Sequence, residues 1–178
     1  MKSSISIRPT LILALICLLA TLLLAGLNQL TTPIIAANEE QAANETYAAL
    51  LPEADGFTQL SCDIDGVTAV MVANNGTGYV IIAQSRGYGG QVPAAVAFSP
   101  DGTILGVTMM DNSETPGLGQ KVTEDTFSGQ FAGRDASEFA IDEIDAITGA
   151  TISSKAAVSA INLAIKAYQE IGGTGHAQ

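Results

Sequence analysis

The chain is poor in the residues on which several common kinds of active site depend. Its 178 residues include one histidine, two cysteines and seven basic residues, against eighteen acidic ones. Hydrolases with a serine or cysteine nucleophile need a positioned base, and the single histidine, His176, stands in a glycine-rich tail. Because phosphate backbones require clustered lysine and arginine, the net charge of −11 also excludes nucleic acid as an expected partner.

The two cysteines exclude a disulfide framework and a CxxC metal site. Cys17 lies in a long apolar run and Cys62 stands alone in the remaining chain, so the two cannot pair within one folded monomer. Neither GxGxxG nor a Walker pattern occurs, which disfavours ordinary dinucleotide and nucleoside triphosphate sites. Since 47% of the residues are hydrophobic and only 14% are charged, disorder is not expected. We therefore predict a folded protein with neither a metal site nor a catalytic side chain of its own.

Charged residues are absent from a long stretch near the N-terminus. None occurs between Arg8 and Glu39, and residues 11–30 read LILALICLLATLLLAGLNQL. At about 1.5 Å per residue, a helix of this length covers the roughly 30 Å hydrocarbon core of a bilayer. A cleaved signal peptide is the alternative, but its apolar region usually spans only about 7–15 residues. The pattern favours a retained transmembrane anchor over residues 9–32.

The distribution of charge predicts the orientation of this anchor. Lys2 and Arg8 precede the apolar run, whereas five bases and all eighteen acids follow it, a net charge of −13. Under the positive-inside rule, the basic flank stays in the cytoplasm. Residues 1–8 are therefore predicted to be cytoplasmic, and the rest of the chain is predicted to lie on the extracytoplasmic side of the cell membrane.

Residues 33–56 are predicted to form a juxtamembrane helix and linker. Pro33 is expected to break the membrane helix. The segment 38–51, NEEQAANETYAALL, then has acids in its first turn and a proline after its end, both of which are typical of a helix. Three side chains are expected on its buried face: Tyr47, Leu50 and Leu51.

Residues 57–171 are predicted to form the external domain, of class α+β. Four β-like runs are separated by turn signals: Val67–Ala73, Tyr79–Gln84, Val92–Phe98 and Ile104–Met110. They are consistent with a small twisted, mainly antiparallel sheet of about four or five half-buried strands. Helices that pack on this sheet are predicted over 123–131, with Thr123 as N-cap, and over 153–171. A flexible tail, residues 172–178, is expected to follow.

Two hydroxyl residues flank two of the smallest residues in DAITGAT, residues 145–151, just before the strongest external helix. One interpretation is a helix N-cap, because Ser and Thr at that position satisfy otherwise unpaired amides. The other is an anion site, since helix N-termini bind phosphate and Gly149 and Ala150 leave access for a bulky group. From these residues alone the helix cap is the favoured interpretation, and the anion site remains an alternative.

A second candidate segment, ETPGLGQK at residues 114–121, follows the last predicted strand. Its Pro-Gly pair alone indicates no more than a turn. The loop nevertheless combines a carboxylate, a hydroxyl, a leucine and two glycines, a mixture that suits a flat amphipathic ligand. GYGG at residues 87–90 is a candidate for another wall of such a site.

Taken in order, GYGG, the PDG hairpin, ETPGLGQK and DAITGATISS resemble the FMN-binding domain shared by two related subunits. One is the G subunit of the Rnf ion-translocating electron-transport complex, and the other is the C subunit of the sodium-translocating NADH:quinone reductase. The resemblance extends from about Gly87 through the helix after Thr151, together with the single N-terminal anchor. The chain is more similar to the Rnf subunit, because the reductase subunit is usually longer.

The resemblance implies a covalent flavin. In such proteins a separate flavin transferase consumes FAD and esterifies the last threonine of TGAT through the phosphate of FMN, which makes Thr151 the acceptor here. Four residues are implied to form the transferase recognition segment and the space around the phosphate: Asp145, Thr148, Gly149 and Ala150. More loosely, four are implied to lie near the isoalloxazine ring: Glu114, Thr115, Leu118 and Gly119.

The implied function is electron transfer in a membrane redox pump, which in Rnf complexes runs between ferredoxin and NAD and moves sodium ions or protons. The subunit would complete no turnover alone, and its implied partners are the other membrane subunits and the transferase. Flavin supplies the redox chemistry, so the lack of a usable histidine is no obstacle. Two alternatives are the C subunit of the quinone reductase, with the same flavin, and an anchored non-redox binding module in which TGAT is only a helix cap.

Overall fold

The computed structural model describes the backbone of residues 7–172 and the side chains of residues 9–32 and 41–171. Helix α1 spans Ile7–Leu50, and the chain divides after Asn44 into two compact units. Within α1, the 24 residues Pro9–Thr32 have the length and composition needed to cross a membrane. The predicted segments 1–8 and 172–178 lie outside the described residues, apart from the backbone of positions 7, 8 and 172.

The predicted break of the helix at Pro33 is wrong. The backbone of α1 is helical through this position, although proline donates no amide hydrogen bond and crowds the carbonyl group one turn earlier. In the turn before it, the Thr31 hydroxyl donates to the Leu27 carbonyl oxygen (3.0 Å) and the Thr32 hydroxyl to that of Asn28 (2.6 Å). Proline is tolerated in apolar helices of this kind, where serine and threonine side chains supply additional hydrogen bonds to the backbone.

Five strands form one antiparallel sheet in which each strand pairs with the next along the chain. They are β1 Phe57–Leu60, β2 Val67–Ala73, β3 Tyr79–Arg86, β4 Gln91–Phe98 and β5 Ile104–Met109. Four were predicted to within two residues at each end. Strand β1 was missed because three of its four residues are exposed, which leaves no apolar alternation to detect. The antiparallel sheet with packed helices confirms the predicted α+β class.

Helix α3 (Thr151–Gly172) packs on β3 and β4 and supplies much of the core. Its buried residues recur at helical spacing and include Ala157, Ile161 and Ile165. Together with Ile81 of β3 and Val96 of β4 they belong to one hydrophobic cluster. The predicted helix over 153–171 is confirmed, and it begins two residues earlier than expected. This earlier start puts the TGAT threonine in the first turn of the helix.

The predicted buried face at the end of α1 is confirmed in large part. Tyr47 and Leu51 are buried and Leu50 is half-buried. The ring of Tyr47 lies 5.6 Å from that of Phe57, centroid to centroid. The last turn of α1 therefore belongs to the core that supports the sheet.

The helix predicted over 123–131 is much shorter in the structure. A 3₁₀ helix (Gly119–Thr123) precedes the one-turn helix α2 (Asp125–Ser128), and a second 3₁₀ turn (Ile141–Glu143) follows further along. Thr123 is not an N-cap: Glu124 holds that position, and the Thr123 hydroxyl donates to the Gln120 carbonyl oxygen (2.8 Å). Helix α2 ends at a glycine, whose low helix propensity opposes extension.

Candidate functional site

Three segments meet around a surface cleft of about 450 Å³: the loop after β3, the loop after β5 and the N-terminus of α3. Nine residues line it, none of them charged: Tyr88, Thr115, Leu118, Gly119, Gly149, Ala150, Thr151, Ile152 and Ser153. This volume falls within the range of about 300–1,000 Å³ that is typical of small-molecule sites. Among the described residues, no group of three or more His, Cys, Asp or Glu is placed to hold a metal ion.

Six of the nine residues proposed from the sequence line this cleft. The other three do not. Asp145 and Thr148 are exposed outside it, and Glu114 is buried behind its wall. The backbone of Asp145 is held by Gln130, whose side-chain oxygen accepts from the Asp145 amide at 2.7 Å.

The start of α3 does not have the serine or threonine cap that the sequence favours. The Ser154 amide donates to the Ala150 carbonyl oxygen (2.9 Å), so Ala150 is the residue at the cap position, and alanine has no capping oxygen. The Ser154 hydroxyl donates to the same carbonyl oxygen (3.1 Å) and accepts from the Ile147 amide (3.0 Å), while Ser153 donates to Glu114. The amides of the first helical turn therefore remain available to an anion, which the helix dipole also attracts.

Two features favour glycine at position 149. Its φ is +84°, in the left-handed region that favours glycine. A Cβ atom there would also lie 3.2 Å from Cδ1 of Leu118, across the cleft. A side chain at this position would therefore narrow the space beside Thr151.

The rim of the cleft carries three exposed apolar side chains. Tyr88 is 73% exposed, Ile152 is 55% exposed and Leu118 is 40% exposed. Two lining residues, Ile152 and Ser153, were not predicted from the sequence. Ile152 could have been found, because an apolar residue directly after the TGAT threonine, at the start of a helix, indicates a side chain next to the proposed site. Tyr88 belongs to the GYGG segment that was considered as another wall, and it is the residue of that segment that lines the cleft.

Glu114 connects the three segments that line the cleft, on the side of the cleft wall that faces the protein interior. Its side chain is only 2% exposed. Oε1 accepts from the Gly89 amide at 2.8 Å, and Oε2 accepts from the Ser153 hydroxyl. One carboxylate thus ties the loop after β3 and the first turn of α3 to the loop after β5.

The glycines around Glu114 make room for its carboxylate. A Cβ atom on Gly87 would overlap Oε1, and one on Gly119 would lie 2.9 Å from Oε2. Burial by itself raises the pKa of Glu114, but hydrogen bonds from the Ser153 hydroxyl and from the amides of Gly89, Gly90 and Tyr88 outweigh it and hold that pKa below its ordinary value. Glu114 is therefore an ionised carboxylate within a nest of amides, an arrangement that favours anions.

We expect acid to remove part of the stability that Glu114 provides. Because the folded-state pKa lies below the ordinary value of 4.5, the contribution is complete above that value and is lost as the pH falls through the folded-state pKa. Glu114→Gln should lower the free energy of unfolding at pH 7 by about 2 kcal/mol, as expected for a hydrogen-bonded buried charge. The deficit should shrink below pH 4, as measured by thermal unfolding of the full chain in detergent.

The matched control for this experiment is Glu124→Gln, the same chemical change at an exposed residue. It should leave the unfolding temperature close to that of the wild type across the pH range. A deficit in Glu114→Gln that stays constant from pH 7 to pH 3 would contradict the role of the charge.

The cleft and the fold define the class of the protein. Residues 87–166 match the FMN-binding domain family, and residues 1–50 match the RnfG N-terminal region. The structure of Shewanella oneidensis NqrC has the same fold, with a TM-score of 0.53 and 22% identity over 68% of this chain and 70% of that one. The fold is thus that of a known group of FMN-binding domains.

Sequence relatives narrow the assignment. The chain is 32% identical to the G subunit of the proton-translocating ferredoxin:NAD(+) oxidoreductase complex of Clostridium ljungdahlii, over 86% of each chain. It is 33% identical to the G subunit of the ion-translocating oxidoreductase complex of Methanosarcina acetivorans, over 71% of this chain and 75% of the relative. The Na(+)-translocating counterpart from Acetobacterium woodii is 38% identical over 53% of this chain and 50% of its own. The chain belongs to the family of G subunits of ion-translocating oxidoreductase complexes, and the resemblance seen in its motifs is confirmed.

Proposed function

We propose that the chain is an electron-transfer subunit of a membrane-bound, ion-translocating ferredoxin:NAD oxidoreductase complex, and that it carries FMN covalently on Thr151. The match of residues 87–166 to the FMN-binding domain carries the proposal. The names of two relatives specify protons and Na⁺ respectively, so the proposal is independent of the ion. Bound flavin supplies one- and two-electron chemistry, and the chain supplies position and electrostatics.

The start of α3 suits the phosphate of a flavin ester. Thr151 is exposed in the first helical turn, so its hydroxyl is open to modification. A phosphodiester keeps one negative charge, which the free amides and the dipole of α3 favour. Gly149 and Ala150 present no bulky side chain beside it.

The remainder of the cleft suits the flat ring of a flavin. Tyr88, Leu118 and Ile152 offer aromatic and apolar surface for its faces. Thr115 adds a hydroxyl for its polar edge. A few polar groups in an otherwise apolar cleft are typical of cofactor sites.

The attachment would require a separate flavin transferase. The Thr151 oxygen would form the ester bond to the FMN phosphate and lose its proton, while the pyrophosphate bond of FAD breaks and AMP leaves. Asp145 and Thr148 are exposed in the segment before Thr151 but outside the cleft, which fits residues that the transferase contacts. A covalent bond retains the cofactor on a side of the membrane that has no flavin pool.

We also propose that residues 9–32 anchor the chain in the cell membrane, with the FMN-binding domain, residues 57–171, on the extracytoplasmic side. Lys2 and Arg8 precede the apolar helix, and the positive-inside rule assigns them to the cytoplasm. Membership of this family of G subunits supports the other membrane subunits of such a complex as partners.

Thr151→Ala should abolish covalent flavin. The full chain is produced together with the transferase, and in-gel fluorescence under denaturing conditions is combined with intact mass and peptide mass mapping. Wild-type protein should fluoresce and carry one FMN on the peptide that contains Thr151. The variant should lose all of this signal, because the other hydroxyls of the first turn, those of Ser153 and Ser154, are buried and bonded to Glu114 and to the Ala150 carbonyl oxygen.

Thr148→Ala is the matched control, since it removes the other threonine of the same loop. Whatever its effect on yield, any flavin in this variant should map to Thr151. Wild-type protein without added mass would refute the proposed function, and fluorescence that persists in Thr151→Ala would move the linkage to another residue.

A further inference from the structure

Glu114 is a buried carboxylate that neither attachment nor electron transfer requires directly. It lies one layer behind the cleft rather than in its lining. Its oxygens contact the backs of the lining segments, through the Ser153 hydroxyl and through the amide of Gly89, which adjoins Tyr88. Any molecule in the cleft therefore sits across a single layer of protein from this carboxylate.

The charge on Glu114 is fixed in place. Its oxygens accept hydrogen bonds from the Gly89 amide and the Ser153 hydroxyl. Gly87 and Gly119 pack directly against the carboxylate, because neither has a side chain that would displace it. None of the nine lining residues carries a charge that would offset it. Buried charges are screened by salt much less than exposed ones, so the field of Glu114 reaches the cleft.

We propose that Glu114 tunes the flavin electrostatically: its negative charge behind the cleft wall holds the reduction potential of the bound FMN down. The inference rests on the proposed function, because it needs flavin in the cleft. An electron that enters that site without a compensating proton adds negative charge, which the carboxylate repels, so this reduction is less favourable than it would be beside a neutral group. At an effective dielectric constant of about 20, the repulsion between two unit charges roughly 10 Å apart changes such an equilibrium ratio on the order of tenfold, which is the size of effect expected here.

Glu114→Gln tests the charge while keeping the shape. The amide oxygen of glutamine accepts from Gly89, and its NH₂ group donates to the Ser153 oxygen, which can serve as an acceptor. The full-length flavinylated proteins are titrated spectroelectrochemically in detergent at pH 7. At the wild-type midpoint potential, the variant should show a ratio of reduced to oxidised flavin about tenfold higher, which is a shift to more positive potential.

Glu124→Gln is the control, since it makes the same chemical change at an exposed residue. It should leave the midpoint where it is in the wild type. An unchanged midpoint in flavinylated Glu114→Gln would overturn the inference and leave the proposed function standing. Wild-type protein that carries no flavin would instead overturn the proposed function, and this inference with it.

A measurement on the wild type covers the case in which Glu114→Gln does not fold or is not flavinylated. Coupling between two sites is reciprocal, so a flavin that gains negative charge on reduction must raise the pKa of the carboxyl that opposes this reduction. The ¹³Cδ signal of Glu114 is titrated with pH in the fully oxidised and fully reduced proteins. A higher pKa in the reduced protein supports the inference, and equal values overturn it.

Discussion

Gly89→Ala is expected to destabilise the protein by about 3 kcal/mol, the upper part of the usual range for overpacking. A Cβ atom at this position would overlap the Ser113 carbonyl oxygen and would lie 2.9 Å from the carbonyl carbon and 3.2 Å from Cα of Glu114. These are backbone atoms, so no side chain can rotate away. The loop after β3 would have to withdraw from the loop after β5, and the hydrogen bond from the Gly89 amide to Glu114 would be lost.

Gly90→Ala is the neighbouring control within the same motif. The nearest atom to its added Cβ is the Ser113 Cβ at 3.4 Å, which is close to ordinary van der Waals contact. Gly90 is not among the glycines with positive φ, so its cost should stay within about 0.5 kcal/mol. At about 2–4 °C per kcal/mol for a chain of this size, thermal unfolding of the full chain should separate the two variants by about 5–10 °C. Equal unfolding temperatures would contradict the close approach of the two loops.

The sequence motif GYGG, residues 87–90, identified a segment of the site, but it did not reveal that the segment contacts Glu114. Tyr88 of GYGG lines the cleft, in agreement with the prediction that this segment forms a wall, and the amides of the segment in addition bind a carboxylate of the same chain. The contact joins residues that are 25 positions apart, and the bond between Ser153 and Glu114 joins residues 39 positions apart. Local pattern carries no information on such pairings, so Glu114 was interpreted as a ligand contact rather than as a buried anion.

Elements with strong local signals were predicted well. Helix α3 places apolar residues at helical spacing, whereas β3 and β4 are nearly continuous runs of buried residues between turn signals. The errors fall where local signals were weak or were overridden by context. Strand β1 is mostly exposed, α2 is a single turn that ends at a glycine, and Pro33 lies within a helix in spite of its low propensity. The loop before Thr151 was located by its motif, whereas the residue at the N-cap of α3 depends on where that helix begins.

The segment between β5 and α3, which carries little regular structure, is held by a cluster of three phenylalanines. Phe131 is fully buried, and its ring centroid lies 5.9 Å from that of Phe127 and 5.2 Å from that of Phe139, both edge-on. Asn162 of α3 then clasps Phe139, accepting from its amide and donating to its carbonyl oxygen, each at 2.9 Å. The cluster therefore connects the loops around the cleft to the helix that carries Thr151.

Phe131→Ala should remove the centre of this cluster and lower the free energy of unfolding by about 4 kcal/mol, as expected for a phenylalanine deleted from a core. Edge-on aromatic pairs add about 0.5–1.5 kcal/mol each beyond the area that they bury, and the variant loses two of them. Phe57→Ala, the same change at a half-buried position on the edge strand β1, should lower the free energy of unfolding much less.

In hydrogen exchange on the full chain, Phe131→Ala should raise exchange most strongly in residues 119–145, because that segment loses its attachment while the hydrogen bonds of the sheet are retained. Uniformly faster exchange over the whole domain would mean that Phe131 supports the global core rather than this segment, and an unfolding temperature equal to that of Phe57→Ala would contradict its central position.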